Sequence, residues 1–472
     1  MNLTGLLSAS GKAFLIALVL TPIIRDVFRS YNVVDRPGRR KVHAYPIPRV
    51  GGVPIMAAYC ATLLSLRGAE DLFPAHWMQL ILSGAVIIFL TGLIDDFMNL
   101  RATVKLMGQI VAGVVAFQNG IRIDTLAGFD LPVYAAMPLT VFWLLLSTNA
   151  LNLIDGLDGL CSGMGFWATL TIMVASLMTG NYVLAYTAAP LAGALLGFLF
   201  FNFNPATVFL GDSGALLIGY LLGCFGILWN AHHATAAGMA VPLFGMTIPL
   251  ADLSISIVRR TLKAQGIFSP DRGHTHHRLL DHGLSVRASA FTLYGAAMVG
   301  GGFGLLLLYL EMENRGPNAG ALQVVVLIAA AACLVAGIRQ LRYAEFEVAG
   351  QLLFNGEFRN VVAQKVRLRN LSAALDRAGS QDDWWRALSS AAREEDWIRL
   401  RWVSAQTPQA ETTFSERAPS WCFTVEIGED ESLLVEGDST GARGSSDLVA
   451  WSGVLSRSLE RNRPRWVQPA RS

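Results

Sequence analysis

Four polar side chains crowd into the short stretch where one apolar segment of the chain ends. Asn149, Asn152 and Asp155 are three residues apart, so successive members are neighbours on a helical surface. Gly156 then lets the chain leave the helix shortly before Asp158. One such residue would be explained by a solvated helix end. Polar groups at a membrane rim are costly unless they meet a metal, a polar ligand or water, so four together favour a functional site.

Further carboxylates lie at the ends of two other apolar segments. Asp95 and Asp96 are adjacent and repel each other, so both stay ionised only beside a compensating cation. Lys105 is close enough in sequence to supply part of that compensation, while a bound metal ion is the stronger candidate. Asp212 stands between glycines where an apolar segment begins, which suits oxygen ligation of a hard cation. A solvated helix end is the alternative for Asp95 and Asp96.

Two loops rich in basic residues complete the candidate set. Histidines beside arginine can bind a transition metal or a diphosphate, and the hard carboxylates elsewhere make Mg²⁺ with phosphate a better fit than Zn²⁺. Phe209, shortly before Asp212, offers a ring face to a base, although packing is the usual role of a phenylalanine. The candidates in the two loops are Lys41, His43, Arg49, Arg272, His274, His276 and His277.

The composition places these residues in a membrane protein. The chain has 472 residues, of which 53% are hydrophobic and only 15% charged, and its mean hydropathy is +0.44. In soluble domains about a quarter of the residues are charged, so this low fraction indicates a polytopic membrane protein. The net charge of +2 argues against a nucleic-acid partner. The five cysteines are scattered without a CxxC pattern, so we interpret them as small core residues.

Apolar runs recur along the first 340 residues and predict an all-α polytopic domain of about eleven transmembrane helices, each of roughly 20 residues. The basic loops at 25–49 and 259–287 alternate with loops that hold few basic residues, so the positive-inside rule makes the basic loops cytoplasmic. An odd number of spans then puts the N-terminus outside and the C-terminus in the cytoplasm. All of the candidate residues fall on the cytoplasmic side, as they would if they built one site. The predicted helix centres are Phe14, Ala58, Ile87, Val111, Trp143, Ala168, Ala192, Tyr220, Thr247, Gly300 and Ile328.

Taken in order, these motifs resemble those of the polyprenyl-phosphate N-acetylhexosamine-1-phosphate transferases, the glycosyltransferase 4 family. The resemblance covers about residues 1–340. The His-x-His-His pattern is similar to that of the branch that transfers N-acetylglucosamine phosphate to undecaprenyl phosphate. The phospho-N-acetylmuramoyl-pentapeptide transferase branch typically has three consecutive histidines, and lysine where this chain has Asn99. The motifs are Lys41-x-His43, Pro48-Arg49-x-Gly-Gly52, Asp95-Asp96, Asn149-x-x-Asn152-x-x-Asp155-Gly-Leu-Asp158-Gly, Phe209-x-Gly-Asp212-x-Gly and Asp271-Arg-x-His274-x-His276-His277.

The resemblance implies transfer of a sugar 1-phosphate from a UDP-sugar to undecaprenyl phosphate, with release of UMP and a requirement for Mg²⁺ or Mn²⁺. It implies a bacterial inner-membrane enzyme that acts at the first membrane step of cell-envelope polysaccharide synthesis, such as that of lipopolysaccharide. A homodimer is also expected. Two phosphate substrates repel each other, so a divalent ion that offsets this repulsion agrees with the chemistry.

The resemblance also implies a role for each site residue. Asp212 and Asp155 match metal-site positions. Asp95 and Asp96 match the pair near the acceptor phosphate, where one acts as a base; since a phosphate monoester has a second pKa near ~6, a full general base is not required. The residues that match substrate-binding positions are Lys41, His43, Arg49, Lys105, Asn152, Asp158, Asn202, Phe209, Arg272, His274, His276 and His277.

Two other functions are weighed against this one. Phospho-N-acetylmuramoyl-pentapeptide transferase activity is the alternative within the family. A secondary transporter would also hold acidic residues in a helical bundle, but it would place them near the midplane in broken helices of related halves. The acidic residues of this chain lie at one rim, which favours the enzyme.

The remaining residues, 341–472, have a charged composition that predicts a small cytoplasmic α+β domain. An amphipathic helical region covers 345–377, and Ser380 to Asp383 form a capping box that opens a helix through about Arg393. Strands are predicted at 397–404, 421–427 and 433–436, followed by a helix at 447–460. We interpret this as a docking or stabilising domain; a ligand-sensing module of the GAF type is the alternative.

Overall fold

The computed structural model divides the chain into two compact units, residues 1–345 and 346–472. The structure describes residues 3–31, 34, 46–66, 75–126, 129–230, 236–262, 273–313, 319–341, 368–394, 397–404, 410–428, 431–437 and 445–466. Each unit has its own hydrophobic core.

The first unit is built from helices, with one short hairpin between β1 and β2. Eight of its described helices are long and apolar enough to cross a membrane: α1, α3, α5, α6, α7, α8, α12 and α13. The chain is therefore a polytopic membrane protein. The elements are α1 (Leu3–Ser30), α2 (Gly52–Ser65), α3 (Ala75–Met98), α4 (Ala102–Gln118), β1 (Thr125–Leu126), β2 (Phe129–Asp130), α5 (Val133–Ile154), α6 (Leu160–Met178), α7 (Tyr182–Asn202), α8 (Gly211–Asn230), α9 (Ala236–Gly245), α10 (Thr247–Leu262), α11 (Thr275–Asp281), α12 (Val286–Glu313) and α13 (Ala319–Gln340).

The predicted number of about eleven spans is not confirmed. The helices α2 and α4 are apolar but have only 14 and 17 residues, fewer than the roughly 20 that span a bilayer. The single helix predicted around Thr247 is wrong, because the structure has α9 and α10 there with a break at Met246. Pro249 contributes to this break: it has no N–H to donate to the carbonyl four residues earlier.

The helix α8 lies at the centre of the first unit. Apart from Asp212, all of its residues are buried, and it packs against α3, α5 and α6. Its glycines allow the close contact with α5, since a Cβ at Gly219 would lie 2.7 Å from the Ser147 carbonyl oxygen. Because α8 begins where α3 and α5 end, this packing brings the polar ends of three helices to one rim of the bundle.

The cysteines only partly follow the prediction of core residues. Cys161 and Cys224 are buried, whereas Cys333 and Cys422 are exposed. Cys333 lies in α13, whose residues are mostly exposed on the surface of the bundle. An apolar segment in a membrane protein can face lipid as well as a core, so hydropathy alone does not separate the two environments.

The second unit is an α+β fold. The four strands among its described residues are antiparallel in the order β4-β3-β6-β5, with Leu400 opposite Val435 at the centre. The N-cap half of the predicted capping box is confirmed, since the Ser380 hydroxyl accepts from the Asp383 N–H at 3.1 Å; the Asp383 carboxylate accepts from this hydroxyl at 2.8 Å, which is not the backbone bond that completes a capping box. The elements are α14 (368–376), α15 (Gln381–Glu394), β3 (Trp397–Ser404), β4 (Glu411–Thr413), β5 (Trp421–Gly428), β6 (Glu431–Gly437) and α16 (Ser445–Trp466).

Candidate active site

A lysine stands among two carboxylates and an amide at the rim of the first unit. The ammonium of Lys105, in α4, is 3.1 Å from Asp95 at the end of α3 and 3.2 Å from the Asn152 side-chain oxygen at the end of α5. It also forms an ion pair with Asp212 at the start of α8, and Asn152 donates a hydrogen bond to Asp212 at 3.0 Å. We call Asp95, Lys105, Asn152 and Asp212 the carboxylate–lysine cluster. It joins the polar ends of four helices, α3, α4, α5 and α8.

Glycines allow these helix ends to approach each other. A Cβ at Gly92, in α3, would lie 2.6 Å from the Asp212 carbonyl oxygen, and one at Gly52, in α2, would lie 2.5 Å from the Gly214 nitrogen. Real Cβ atoms do not come this close, so a side chain at either position would push α8 away. The Gly-Gly pair before α2 and the glycines around Asp212 therefore serve the assembly of the site as well as the turns.

Asp96 holds the start of α8. Its two carboxylate oxygens accept hydrogen bonds from the backbone N–H groups of Asp212 and Ser213, at 2.7 and 3.0 Å. These amides belong to the first turn of a helix, where backbone donors have no helical partner and the helix dipole favours an anion. Gly211 has a φ of +73°, and a Cβ there would meet the Asp96 carboxylate at 2.7 Å. The geometry makes Asp96 a support for Asp212, and Asp95 the member of the pair that faces Lys105.

Asp155 and His276 bring two predicted motifs together. Asp155 is the C-cap of α5, and a Cβ on the next residue, Gly156, would clash with Nε2 of His276. Burial and, after it, the negative charge of Asp212 together raise the pKa of the Asp155 carboxyl to about 8, while Arg49 opposes the shift. A carboxyl group with this pKa gains from a cation placed beside it.

His276 is buried and neutral. Burial and, after it, the adjacent His277, whose ring centre lies 4.3 Å away, together lower its pKa to about 3. Within the part of the chain that the structure describes, neither of its ring nitrogens has a hydrogen-bond partner. A buried imidazole in this state points to a polar ligand, because unsatisfied buried groups cost about 1–3 kcal/mol.

Asp158 and Asn202 fasten the loop between α7 and α8. One oxygen of Asp158 accepts from the Asn204 side chain at 2.9 Å and from the Ala206 N–H at 3.1 Å. Asn202 donates to the Val208 carbonyl at 3.0 Å and accepts from a serine hydroxyl of α6 at 2.6 Å. Both side chains therefore shape this loop, which leads to Asp212.

Arg49 and Phe209 meet where two loops pair. The Phe209 N–H donates to the Pro48 carbonyl at 2.9 Å, and the Gly51 N–H donates to the Phe209 carbonyl at 3.0 Å. This pairing joins the entry of α2 to the entry of α8. The Arg49 side chain is exposed, and its charge acts on Asp155. Three predicted site residues, Lys41, His43 and Arg272, lie outside the described residues.

The sequence reasoning missed Asp252. It lies in α10, is only 1% exposed, and accepts a hydrogen bond from the Thr275 N–H at 2.7 Å, beside His274. The signal was present, since an ionisable residue inside an apolar membrane segment marks a functional or structural partner. His274 itself is buried and stacks on His276, with ring centres 5.8 Å apart.

The donor atoms of the carboxylate–lysine cluster fit a hard divalent cation. Across the described ranges, no group of three or more His, Cys, Asp or Glu side chains forms a metal cage. Mg²⁺, however, is usually held by one or two carboxylates while substrate phosphates and water fill the other positions. Asp95 and Asp212 both face the Lys105 ammonium, so a positively charged side chain already lies between these two carboxylates. The residues present thus match Mg²⁺ or Mn²⁺ with a phosphate substrate.

Comparison with known proteins supports the same interpretation. Residues 78–230, which include Asp95, Lys105, Asn152 and Asp212, match the model of glycosyl transferase family 4. The chain is 35% identical over 290 residues to a Bacillus subtilis protein named "Probable undecaprenyl-phosphate N-acetylglucosaminyl 1-phosphate transferase". The aligned region covers 60% of this chain and 79% of the relative.

Two other relatives carry similar names. A Mycobacterium tuberculosis protein named "Decaprenyl-phosphate N-acetylglucosaminephosphotransferase" is 34% identical over 313 residues, 60% of this chain and 77% of that protein. An Escherichia coli K12 protein named "Undecaprenyl-phosphate alpha-N-acetylglucosaminyl 1-phosphate transferase" is 27% identical over 325 residues, 66% and 86% of the two chains. The extent of these matches shows that the chain belongs to glycosyl transferase family 4.

Proposed function

We propose that this protein transfers N-acetylglucosamine 1-phosphate from UDP-N-acetylglucosamine to undecaprenyl phosphate and releases UMP. The observation that carries the proposal is the carboxylate–lysine cluster at a helix-bundle rim, beside a buried histidine without a partner among the described residues. The names of the three relatives supply the sugar phosphate and the polyprenyl acceptor. In cells this reaction would be the first membrane step in the synthesis of a cell-envelope polysaccharide.

The reaction joins two phosphates. An oxygen of the acceptor phosphate attacks the phosphorus that carries the sugar, and the bond from that phosphorus to UMP breaks, so the electron pair leaves with UMP. Bound Mg²⁺ or Mn²⁺ would lower the repulsion between the two phosphates. Asp212 is the residue that would hold it, with Asp155 close by.

The protein groups position the two substrates. Lys105 supplies a positive charge where the acceptor phosphate must approach, and Arg49 supplies another beside Asp155. The neutral ring of His276 has one nitrogen that donates a hydrogen bond and one that accepts, and it would meet the diphosphate of the UDP-sugar. Asp95 is the member of the acidic pair that is placed to meet the acceptor phosphate, because one of its oxygens faces the Lys105 ammonium whereas both oxygens of Asp96 accept from backbone amides.

The same proposal sets the orientation in a bacterial inner membrane. The basic loops of the sequence favour the cytoplasmic side for the site, where UDP-sugars are available. A cytoplasmic C-terminus with the N-terminus outside requires an odd number of spans, whereas the described residues contain eight candidate spans. Reporter fusions at the C-terminus test this: activity restricted to an oxidising, extracytoplasmic space would contradict the orientation.

The decisive assay measures UMP release by purified protein supplied with undecaprenyl phosphate and Mg²⁺. Donors are UDP-N-acetylglucosamine, UDP-N-acetylgalactosamine and UDP-N-acetylmuramoyl-pentapeptide. We expect release with the first donor, dependence on the lipid acceptor, and loss in Asp212→Asn. Release with the muramoyl donor alone would replace the proposal by the other branch of the family, and transport of substrate without UMP release would contradict enzymatic function.

A further inference from the structure

One face of α10 holds the segment that leads into the histidine-bearing helix α11. Asp252, Ser256 and Arg259 follow each other at intervals of four and three residues, so they share one side of α10. Each is only 1% exposed. Arg259 donates a hydrogen bond to the carbonyl of Gly273, the residue before His274. Three buried polar side chains in one row are costly unless they make specific bonds.

Asp252 makes most of the bonds. One of its oxygens accepts from the Thr275 N–H at 2.7 Å and from the Thr275 hydroxyl. The other lies 3.2 Å from Nδ1 of His274, and the Ser256 hydroxyl is 3.1 Å from the same nitrogen. His274 and Thr275 are both more than nine-tenths buried. The first residues of α11 are therefore bound through side-chain and backbone atoms at once.

We propose that Asp252 is the positioning residue of the histidine helix: it fixes His274 and the first turn of α11 for contact with the donor diphosphate. The inference rests on the proposed function for the identity of the ligand, but the hydrogen bonds themselves do not. Because His276 lies two residues after His274 and packs on Gly156, the same anchor also sets how closely His276 approaches Asp155.

The chemistry of the imidazole explains why a carboxylate is needed. Nδ1 of His274 faces an anion, so Nδ1 carries a hydrogen and donates it. The other nitrogen, Nε2, lies on the opposite edge of the ring. To donate to a phosphate as well, the ring must be an imidazolium, and the Asp252 carboxylate balances that positive charge. An amide at position 252 would keep the geometry and lose this effect.

The first test follows the backbone and needs no turnover. Hydrogen–deuterium exchange of the full-length protein reports the amides of 273–281 in wild type, Asp252→Ala, Asp252→Asn and the control Asp281→Asn, an exposed acidic residue of α11. We expect faster exchange in Asp252→Ala, because Thr275 loses its acceptor. Asp252→Asn keeps an acceptor oxygen and should exchange nearly like wild type, as should the control. Unchanged exchange in Asp252→Ala would overturn the anchor.

The second test separates the charge from the anchor. With UDP-N-acetylglucosamine as donor, Asp252→Asn should lose about 10–100-fold in kcat/KM, the usual cost of removing an orienting partner. In a His274→Gln background the same substitution should cause little further loss, since its effect passes through the imidazole. Asp281→Asn should retain wild-type turnover.

The outcomes are distinct. Wild-type turnover in Asp252→Asn, or a full additional loss in the His274→Gln background, would overturn the positioning role. If Asp252→Ala does not accumulate, Asp252→Asn and the double variant still decide. If wild-type protein releases no UMP from any donor, the proposed function fails, whereas the exchange data still show whether Asp252 anchors α11.

Discussion

The charged residues of the two units lie in different surroundings. At the rim of the membrane unit, Asp95 and Asp212 share one lysine and are partly buried. In the second unit, Arg399 pairs with Glu436 and Arg401 with Glu411 at partly exposed positions of the sheet. Its interior is instead filled by tryptophans, and the buried indole N–H of Trp384 donates to Ser458 at 3.0 Å.

Residues that stabilise a fold and residues that carry out a reaction differ in this way. Crowded carboxylates of like charge cost free energy in the folded protein, and they persist where a ligand or a metal completes them. The ion pairs of the second unit lie at partly exposed positions and make no such demand. We therefore propose that the rim of the first unit carries the chemistry, while a docking or stabilising role for the second unit stays a prediction.

The largest expected effect tests the second unit. Trp384→Ala removes a fully buried side chain from its core and should lower the free energy of unfolding of this unit by about 3–5 kcal/mol. Transferase turnover should remain close to that of wild type below the new melting temperature. Thermal unfolding and UMP release, measured on the same preparation, check both statements. A loss of turnover while the unit is still folded would mean that it contributes to the site.

Asp212→Asn tests the rim. Removal of one anionic oxygen from the carboxylate–lysine cluster should reduce turnover by about 10²–10³, the cost of one preorganised electrostatic contact. Excess Mn²⁺ or Mg²⁺ should restore part of the rate, because the variant binds the cation less tightly.

Asp95→Asn is the matched comparison for metal rescue. It should also slow turnover, yet excess metal should restore much less of the rate, since the acceptor phosphate stays misplaced. The measurement is the initial rate against metal concentration for both variants, together with UDP-sugar binding. Equal rescue of the two variants would refute this division between Asp212 and Asp95.

Asp96→Asn should act on stability and turnover together. The asparagine keeps one acceptor oxygen for the two N–H groups at the start of α8, so one donor is left unsatisfied at a cost of about 1–3 kcal/mol. Thermal unfolding compared with that of Asp95→Asn checks this. A variant that is inactive but as stable as wild type would instead make Asp96 a direct participant.

The smallest effect is expected at the cap of α15. Ser380→Ala removes the hydroxyl that accepts from Asp383 and should lower the stability of the second unit by about 0.5–2 kcal/mol, with no change in turnover. Calorimetry beside the Trp384→Ala variant would show whether both changes affect the same transition. Two separate transitions would contradict a single core in this unit.

Local patterns were sufficient for several of the elements. The end of α5 at Ile154, the start of α8 beside Asp212 and the capped start of α15 follow from neighbouring residues alone, because hydropathy, glycines and caps act within a few positions. The strand Trp397–Ser404 was predicted with its observed bounds for the same reason. Edge strand β4 was missed, since three polar residues carry no alternating pattern.

The amino-acid sequence by itself determined which residues are polar where the chain should be apolar, and thus where chemistry is possible. Only the tertiary structure decided how those residues divide the work. That Asp96 caps α8 while Asp95 faces Lys105, and that Asp252 binds the start of α11, depends on contacts between different helices. The physical reason is that a carboxylate has the same chemistry wherever it lies, and the donors that surround it after packing determine its role.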